Sequence, residues 1–262
     1  MIARAYTMIR VAVEGGVATV TLTNPARKNA IGPAMVNELL HALADAADDA
    51  EVRAVVLTGA GDAFCAGGDF AQMTGGATGG EALPSKGDYA DLLLAMTRAT
   101  KPIVARVNGH AMGGGLGLVA ASHFAVAARS AKLGTPEVNV GLFPMMIMAV
   151  LQRVVPRRRL LEMMLLGERL EADQAAAIGL VSRAVEPAEL DAAVKLITDA
   201  VVSKSPLTLR LGLEAFAAQD DLDLETALPL LRARLGAVLG TDDAREGLTA
   251  FLEKRTPKWS GK

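Results

Sequence analysis

The chain has a single cysteine, Cys65, in 262 residues. One thiol cannot close an internal disulfide, so no covalent framework holds the fold, and such cysteine usage suits a reducing compartment. Three histidines, His41, His110 and His123, lie at separations that match no metal-ligand spacing, so no metal site is expected. Aromatic residues make up 3% and the formal net charge is −2. Without a basic stripe carrying interleaved aromatics, nucleic acid is excluded as a partner. No uncharged apolar run approaches the length of a membrane span. The opening residues MIARAYTMIRVAVEGG contain Arg4 and Arg10 but no continuous apolar segment, which is not the pattern of a signal peptide. A soluble cytoplasmic protein is the expectation.

What the chain does have is apolar volume and glycine. Hydrophobic residues make up 51%, so the core must be built from Ala, Val, Leu and Met, and the length suffices for one large domain or a domain with an appendage. Ile9 to Val13 and Val17 to Thr23 flank Glu14-Gly15-Gly16 and predict a hairpin. Pro33 opens an amphipathic helix to about Asp48, with Met35, Leu39, Leu40 and Leu43 on one side. Short strands are expected at 54–57, 103–107 and 124–127, and a helix at 89–97. Residues 75–87, rich in Gly, Pro and Ser, read as a mobile loop. Alternation of strand and helix argues for an α/β core. After Pro144 the pattern turns almost wholly helical, with helices expected at 157–166, 171–178, 187–202, 206–217, 222–239 and 243–254. Gly179 and Gly240 sit where C-caps belong. The last three helices have generous apolar faces, which suits packing against a partner subunit. The run Arg157 to Arg159 reads as a solvated helix start.

Two glycine segments carry the chemistry. Asn108 to Leu118 reads NGHAMGGGLGL and follows the apolar run 103–107. Glycine lets main-chain N–H groups approach a ligand with no side chain in the way. If a helix starts there, those groups point at an anion or a developing oxyanion. The second segment, Phe64 to Phe70, reads FCAGGDF and also follows a strand. Two such turns lying side by side can offer one N–H each to a shared oxygen. Glu137 is the one carboxylate in the weakly charged stretch GTPEVNVGLFP. Taken alone it is as well read as a negative charge in a first helical turn. Gly115 to Ala120 also fits G-x-G-x-x-A with Glu137 about twenty residues on, the pattern of a dinucleotide fold, but the strand ends too early for it. Asp69 reads as a helix cap, Cys65 as a small buried residue, and His41, His110 and His123 as structural. Met145, Met146 and Met148 read by type more as core than as pocket.

The order FCAGGD, KPIVARVNGHAMGGGLGL, AKLGTPEVNVGLFP, LLGERLEADQAAAIGLVSRAV and FLEKRTPKW resembles the crotonase superfamily, the enoyl-CoA hydratase/isomerase family. The resemblance runs from the NPARKNAIGPAM segment to the end. It implies an α/β fold of the crotonase type, a spiral of ββα units (residues 1–200) followed by a C-terminal helical trimerisation region (residues 201–262). It implies an acyl-CoA thioester as substrate with no separate cofactor, and a homotrimer or dimer of trimers. The N–H groups of Gly68 and Gly114 would hold the thioester oxygen, and Glu137 would be the acid/base. Arg27 and Lys28 match the part of the family that contacts the nucleotide end of CoA. Ala66, Gly67, Asp69, Gly113 and Met145 are the remaining expected substrate contacts.

The informative departure is Gly117, where the family's hydratases carry a glutamate in a GGGxEL pattern. Hydration needs one group to activate water and another to handle the α-proton, each typically contributing about 10²–10⁴-fold. With Glu137 alone, double-bond isomerisation of an enoyl-CoA is the expected reaction. 2-Enoyl-CoA hydration is the alternative, and a non-catalytic acyl-CoA-binding protein is the alternative of another class. A glutamate restored at position 117 is expected to raise hydration.

Overall fold

A computed structural model describes residues 4–69 and 83–262. The hairpin forms as expected from β1 (Ile9–Glu14) and β2 (Val17–Leu22), turning at Gly15 and Gly16, both with positive φ. Helix α1 spans Pro33–Asp48, and Met35, Leu39 and Leu40 are buried as the spacing requires. Then come β3 (Ala54–Gly59), β4 (Ala63–Cys65), α2 (Tyr89–Thr97), β5 (Ile103–Val107), β6 (His110–Met112), α3 (Gly114–Ala120), β7 (Phe124–Ala128) and β8 (Lys132–Gly134). The loop expected at 75–87 lies largely outside the described residues, as does the element after Asp69 that this residue was expected to cap.

Strands alternate between two sheets. The larger has the order β1-β2-β3-β5-β7-β10, where β10 is Arg183–Val185. The smaller runs β4-β6-β8-β9, where β9 is Arg169–Glu171. After the β1–β2 hairpin, the pairs β3–β4, β5–β6 and β7–β8 each give one strand to each sheet, so that β3, β5 and β7 are parallel neighbours in one sheet and β4, β6 and β8 in the other. The large sheet is covered on both faces. Val55 and Leu57 of β3 enter the main core, whereas Ala54 and Val56 face a second core built on the helix α7 (Leu190–Val202), through Leu190, Val194 and Ile197. A strand buried on both sides reads as a continuous apolar run, and AVVL does so.

After Pro144 the chain carries α4 (Met145–Leu151), α5 (Arg157–Leu166), α6 (Ala172–Ala177), α7, α8 (Pro206–Gln219), α9 (Leu224–Leu239) and α10 (Asp242–Leu252). One expectation is corrected here. The region is not wholly helical, because β9 and β10 add an edge to each sheet; at three residues each they are too short for any periodicity to register. The glycines stand at helix ends as expected: Gly179 follows α6 with φ 82°, and Gly240 is the C-cap of α9.

Glu38 on α1 is a buried carboxylate that the sequence did not single out. It accepts from the Thr7 N–H and hydroxyl at 2.8 and 2.7 Å, and from the N–H groups of Met8 and Ile9 at 2.8 and 3.1 Å. Glu38→Ala would leave those donors without an acceptor, at a cost on the order of 2–4 kcal/mol. The melting temperature should fall by roughly 5–15 °C, read by calorimetry.

Candidate active site

The small sheet assembles the site. β4 pairs with β6 (Cys65 opposite Ala111) and β6 with β8 (Met112 opposite Gly134), all parallel. Their C-terminal ends are therefore adjacent, and those ends lead into Ala66–Gly68, Gly113–Gly114 and Glu137. Residues about 46 and 23 positions apart along the chain become neighbours because strand pairing sets the register. Ligands gather outside the carboxyl ends of parallel strands for this reason.

Close approach explains the glycines. A Cβ at Gly115 would stand 2.5 Å from the Cys65 carbonyl oxygen, so only glycine lets α3 lie against β4. Gly113 has φ 50° and ψ −121°, a conformation open to glycine, and a Cβ there would stand 2.7 Å from Glu137 Oε1 and 3.7 Å from the Gly67 Cα. Asn29, which is buried, and Asn108, which is half-buried, tie down the turn that leads into β4. Asn108 accepts from the Gly59 N–H at 3.0 Å, and Asn29 donates to the carbonyls of Ala60 and Ala63, both at 2.9 Å.

Two N–H groups are left to face the space between the turns. Gly68 forms a parallel bridge with Ile31, made by Ile31 N–H to the Gly67 carbonyl and Asp69 N–H to the Ile31 carbonyl, both 2.7 Å. That pattern directs the N–H of Gly68 itself away from Ile31. Gly114 is the first residue of α3, so its N–H precedes the first intrahelical bond, which Gly117 donates to Gly113. Neither N–H has an acceptor among the described residues. Both residues line one cavity of about 700 Å³, together with Ala66, Gly67, Gly113 and Glu137.

Glu137 lies in a 3-10 turn (Pro136–Val140) placed by the Gly113 N–H to Gly134 carbonyl bond, 2.9 Å. Its Oε2 is buried with no hydrogen-bond partner among the described residues. Desolvation pushes its pKa above the ordinary 4.5, against its own backbone N–H, which lowers it. A half-buried carboxylate with an unpaired oxygen and a raised pKa, facing a cavity, has the properties of a proton-transfer group.

Most of the other expected residues are close by. Met145 lines the cavity. So does Met146, and both are largely exposed rather than core; Met148 alone packs against the core. Arg27 and Lys28 do not line the cavity, but the Lys28 carbonyl accepts from the N–H of Ala66, which does, at 2.9 Å. Asp69 is also outside the lining; its enclosed side chain forms an ion pair with Arg27 at 2.9 Å. The cysteine and histidines are structural. Burial pushes the Cys65 thiol up to about 12. His41 bonds to the Pro84 carbonyl at 2.8 Å, while His110 accepts from the Lys132 N–H at 2.9 Å and His123 from the Ile103 N–H at 3.0 Å. No group of three or more His, Cys, Asp or Glu among the described residues is placed to hold a metal.

Position 117 is crowded by two residues outside the motif. A Cβ there would stand 2.3 Å from the Tyr89 hydroxyl and 2.5 Å from Ile147 Cγ2. Any side chain at 117 requires those two side chains to shift. Sequence reasoning missed Tyr89 and Ile147 because the contact is tertiary and neither sits in a motif.

The model of the family described as "Enoyl-CoA hydratase/isomerase" matches residues 12–262. The chain belongs to the enoyl-CoA hydratase/isomerase family. It is 34% identical to the short-chain-enoyl-CoA hydratase of Clostridium acetobutylicum over 92% of this chain and 93% of that one. The crystal structure of an enoyl-CoA hydratase from Mycobacterium smegmatis superposes with a TM-score of 0.89 at 35% identity, covering 97% of this chain and 99% of the other. That of human enoyl-CoA hydratase domain-containing protein 3 gives 0.88 at 30% identity, covering 97% and 100%. The crotonase-type α/β fold expected from the motifs is therefore the observed one, and this family member is an enoyl-CoA hydratase or isomerase. Family members use CoA thioesters as substrates, and no helix among the described residues is long and apolar enough to cross a membrane.

Proposed function

We propose that this enzyme isomerises the double bond of an enoyl-CoA thioester. The thioester carbonyl oxygen is held between the N–H groups of Gly68 and Gly114. Negative charge moves onto that oxygen as a proton leaves the acyl chain, and two fixed amides stabilise it; each such donor is typically worth about 10²–10³-fold in rate. Glu137 takes the proton from one carbon and returns it to another, so the double bond shifts into conjugation. No net proton, electron or water is consumed. The cavity wall around the acyl chain is largely apolar, and Met145 and Met146 give it a deformable rim. Arg27 and Lys28 are the proposed contacts for the nucleotide phosphates of CoA; the Lys28 carbonyl bonds to the cavity-lining Ala66.

The observation that carries this reading is Glu137, the one cavity-lining carboxylate among the described residues with a buried oxygen that has no hydrogen-bond partner, together with glycine at 117. The names of the relatives favour the second reading, 2-enoyl-CoA hydration, in which bound water would be activated without a second carboxylate. A two-substrate assay tests the choice. With a 3-enoyl-CoA the conjugated absorbance should grow, and with a 2-enoyl-CoA it should be stable. Rapid loss of the conjugated signal from the 2-enoyl-CoA would reject isomerisation as the main reaction, and binding without turnover of either would favour a non-catalytic acyl-CoA binder.

The pH profile should carry the mark of Glu137. A base acts when ionised, so kcat/KM should fall as pH drops through its pKa. Because burial raises that pKa, the acid limb should lie above 4.5, the ordinary value. Glu137→Gln should abolish this limb in whatever residual rate remains.

Residues 201–262 are proposed as the oligomerisation region of a homotrimer or dimer of trimers. Phe216, Leu224, Phe251 and Leu252, on α8 to α10, are 63–80% exposed in the single chain, more apolar surface than isolated helices keep in water. A cytoplasmic location fits the same reading.

A further inference from the structure

Two proton-bearing side chains stand at the Gly113–Gly114 turn. Glu137 meets it at Gly113. Tyr89 meets it at Gly114, donating its hydroxyl proton to the Gly114 carbonyl at 2.5 Å. The tyrosine opens α2, and its position is fixed by a capping box in which Asp88 accepts from the N–H groups of Ala90 and Asp91 and Asp91 accepts from that of Asp88. Gly117 lies one turn further along α3 on the same face. Tyr89 and Ile147 both line the cavity, whereas Gly117 does not, because those two side chains cover it.

The phenol itself is a poor candidate for a base. Burial, then the neighbouring Cys65 and Glu137, raise its pKa well above 10. Its proton is already engaged with a main-chain carbonyl. Ile147 contributes no polar atom. Between them they fill the space that a side chain at 117 would enter.

We propose that Tyr89 and Ile147 together determine reaction specificity, by filling the space beside Gly117 that a second proton-handling side chain on α3 would need. This rests on the isomerisation reading above. Adding water across a double bond requires an oxygen nucleophile held and deprotonated at one carbon while a proton is delivered to the other. A 1,3-proton shift requires one base that visits both carbons. A wall that excludes the second group leaves only the shift. The restriction to one chemistry would then lie in two bulky residues far apart in sequence, and glycine at 117 would be their steric consequence.

The test separates the wall from the base. Gly117→Glu should be made alone, and also in an opened background, Tyr89→Ala with Ile147→Ala. Each purified enzyme is assayed for hydration of a 2-enoyl-CoA, with circular dichroism as a check on folding. Gly117→Glu alone should gain no hydration. In the opened background the added glutamate should raise hydration kcat/KM by about tenfold or more over the opened enzyme without it. A gain from Gly117→Glu alone, or none in a folded triple variant, overturns the proposal. A second measurement does not need activity. Gly117→Ala should lower the melting temperature by several degrees in the wild-type background and by about 1 °C or less in the opened one. Equal losses in both would also overturn it. The wild-type enzyme's own preference for 3-enoyl over 2-enoyl substrate tests the isomerisation reading separately, and the thermal comparison stands whatever that preference is.

Discussion

Glu137→Gln is expected to lower kcat by about 10²–10⁴-fold, the range for a positioned general base, with little change in KM. Glutamine has the shape of the carboxylate and fills the same space beside Gly113. It cannot take a proton. The loss should therefore fall on the chemical step, because the proposed thioester contacts, the N–H groups of Gly68 and Gly114 and the apolar wall, are untouched by the change. The same change should stabilise the fold. The folded-state pKa of Glu137 is raised by desolvation, so the folded protein holds that proton more tightly than the unfolded chain does. Above the folded pKa the ionised group costs stability, and below the unfolded value that cost disappears. Near neutral pH the glutamine variant should melt higher than wild type, and the gap should close as pH falls through the raised pKa. Opposite signs for activity and stability are what a strained functional group produces, whereas a structural carboxylate would lose both. Turnover within about threefold of wild type would show that another residue moves the proton.

Gly113→Ala is expected to be nearly as damaging by a different route. The residue has φ 50° and ψ −121°, where a side chain is strained whatever the space around it. The new methyl would also lie 2.7 Å from Glu137 Oε1. The turn and the carboxylate cannot both keep their places. Strain of this kind costs about 1–3 kcal/mol of stability. The larger effect is on rate, because Gly113 is the cap from which Gly114 presents its N–H. Moving that donor and the base together should reduce kcat/KM by about 10²–10³-fold, with a fall of several degrees in melting temperature by calorimetry. An alanine variant that melts lower but keeps wild-type turnover would mean the turn serves the fold alone.

The parts of the fold with a sequence period were legible. The helices at 33–48 and 89–97 lie where spacing and caps put them, and β5 follows from its apolar run. The strands that build the site were not. β4, β6 and β8 have three residues each, and a period of two needs more than that to show. Their glycine-rich ends were legible instead, since glycine at a strand end marks close approach before any pairing is known. Motif resemblance then linked FCAGGD, NGHAMGGGLGL and TPE into one site, which the parallel pairing of the small sheet brings together. Gly117 shows where a sequence stops informing. The motif reported a missing carboxylate, but only the folded structure shows that Tyr89 and Ile147 crowd that position. Asn29, Asn108 and Glu38 were silent for the same reason, as single polar residues whose partners lie about 30 or more positions away.

The most direct test of the mechanism is a crystal structure with acetoacetyl-CoA, a thioester that enolises readily, bound in the cavity. Its thioester oxygen should lie within about 3.2 Å of both the Gly68 and Gly114 nitrogens, with the Glu137 carboxylate beside the acyl carbons that exchange the proton. A thioester oxygen bound by other groups, or a Glu137 side chain turned away from the acyl chain, would contradict the mechanism.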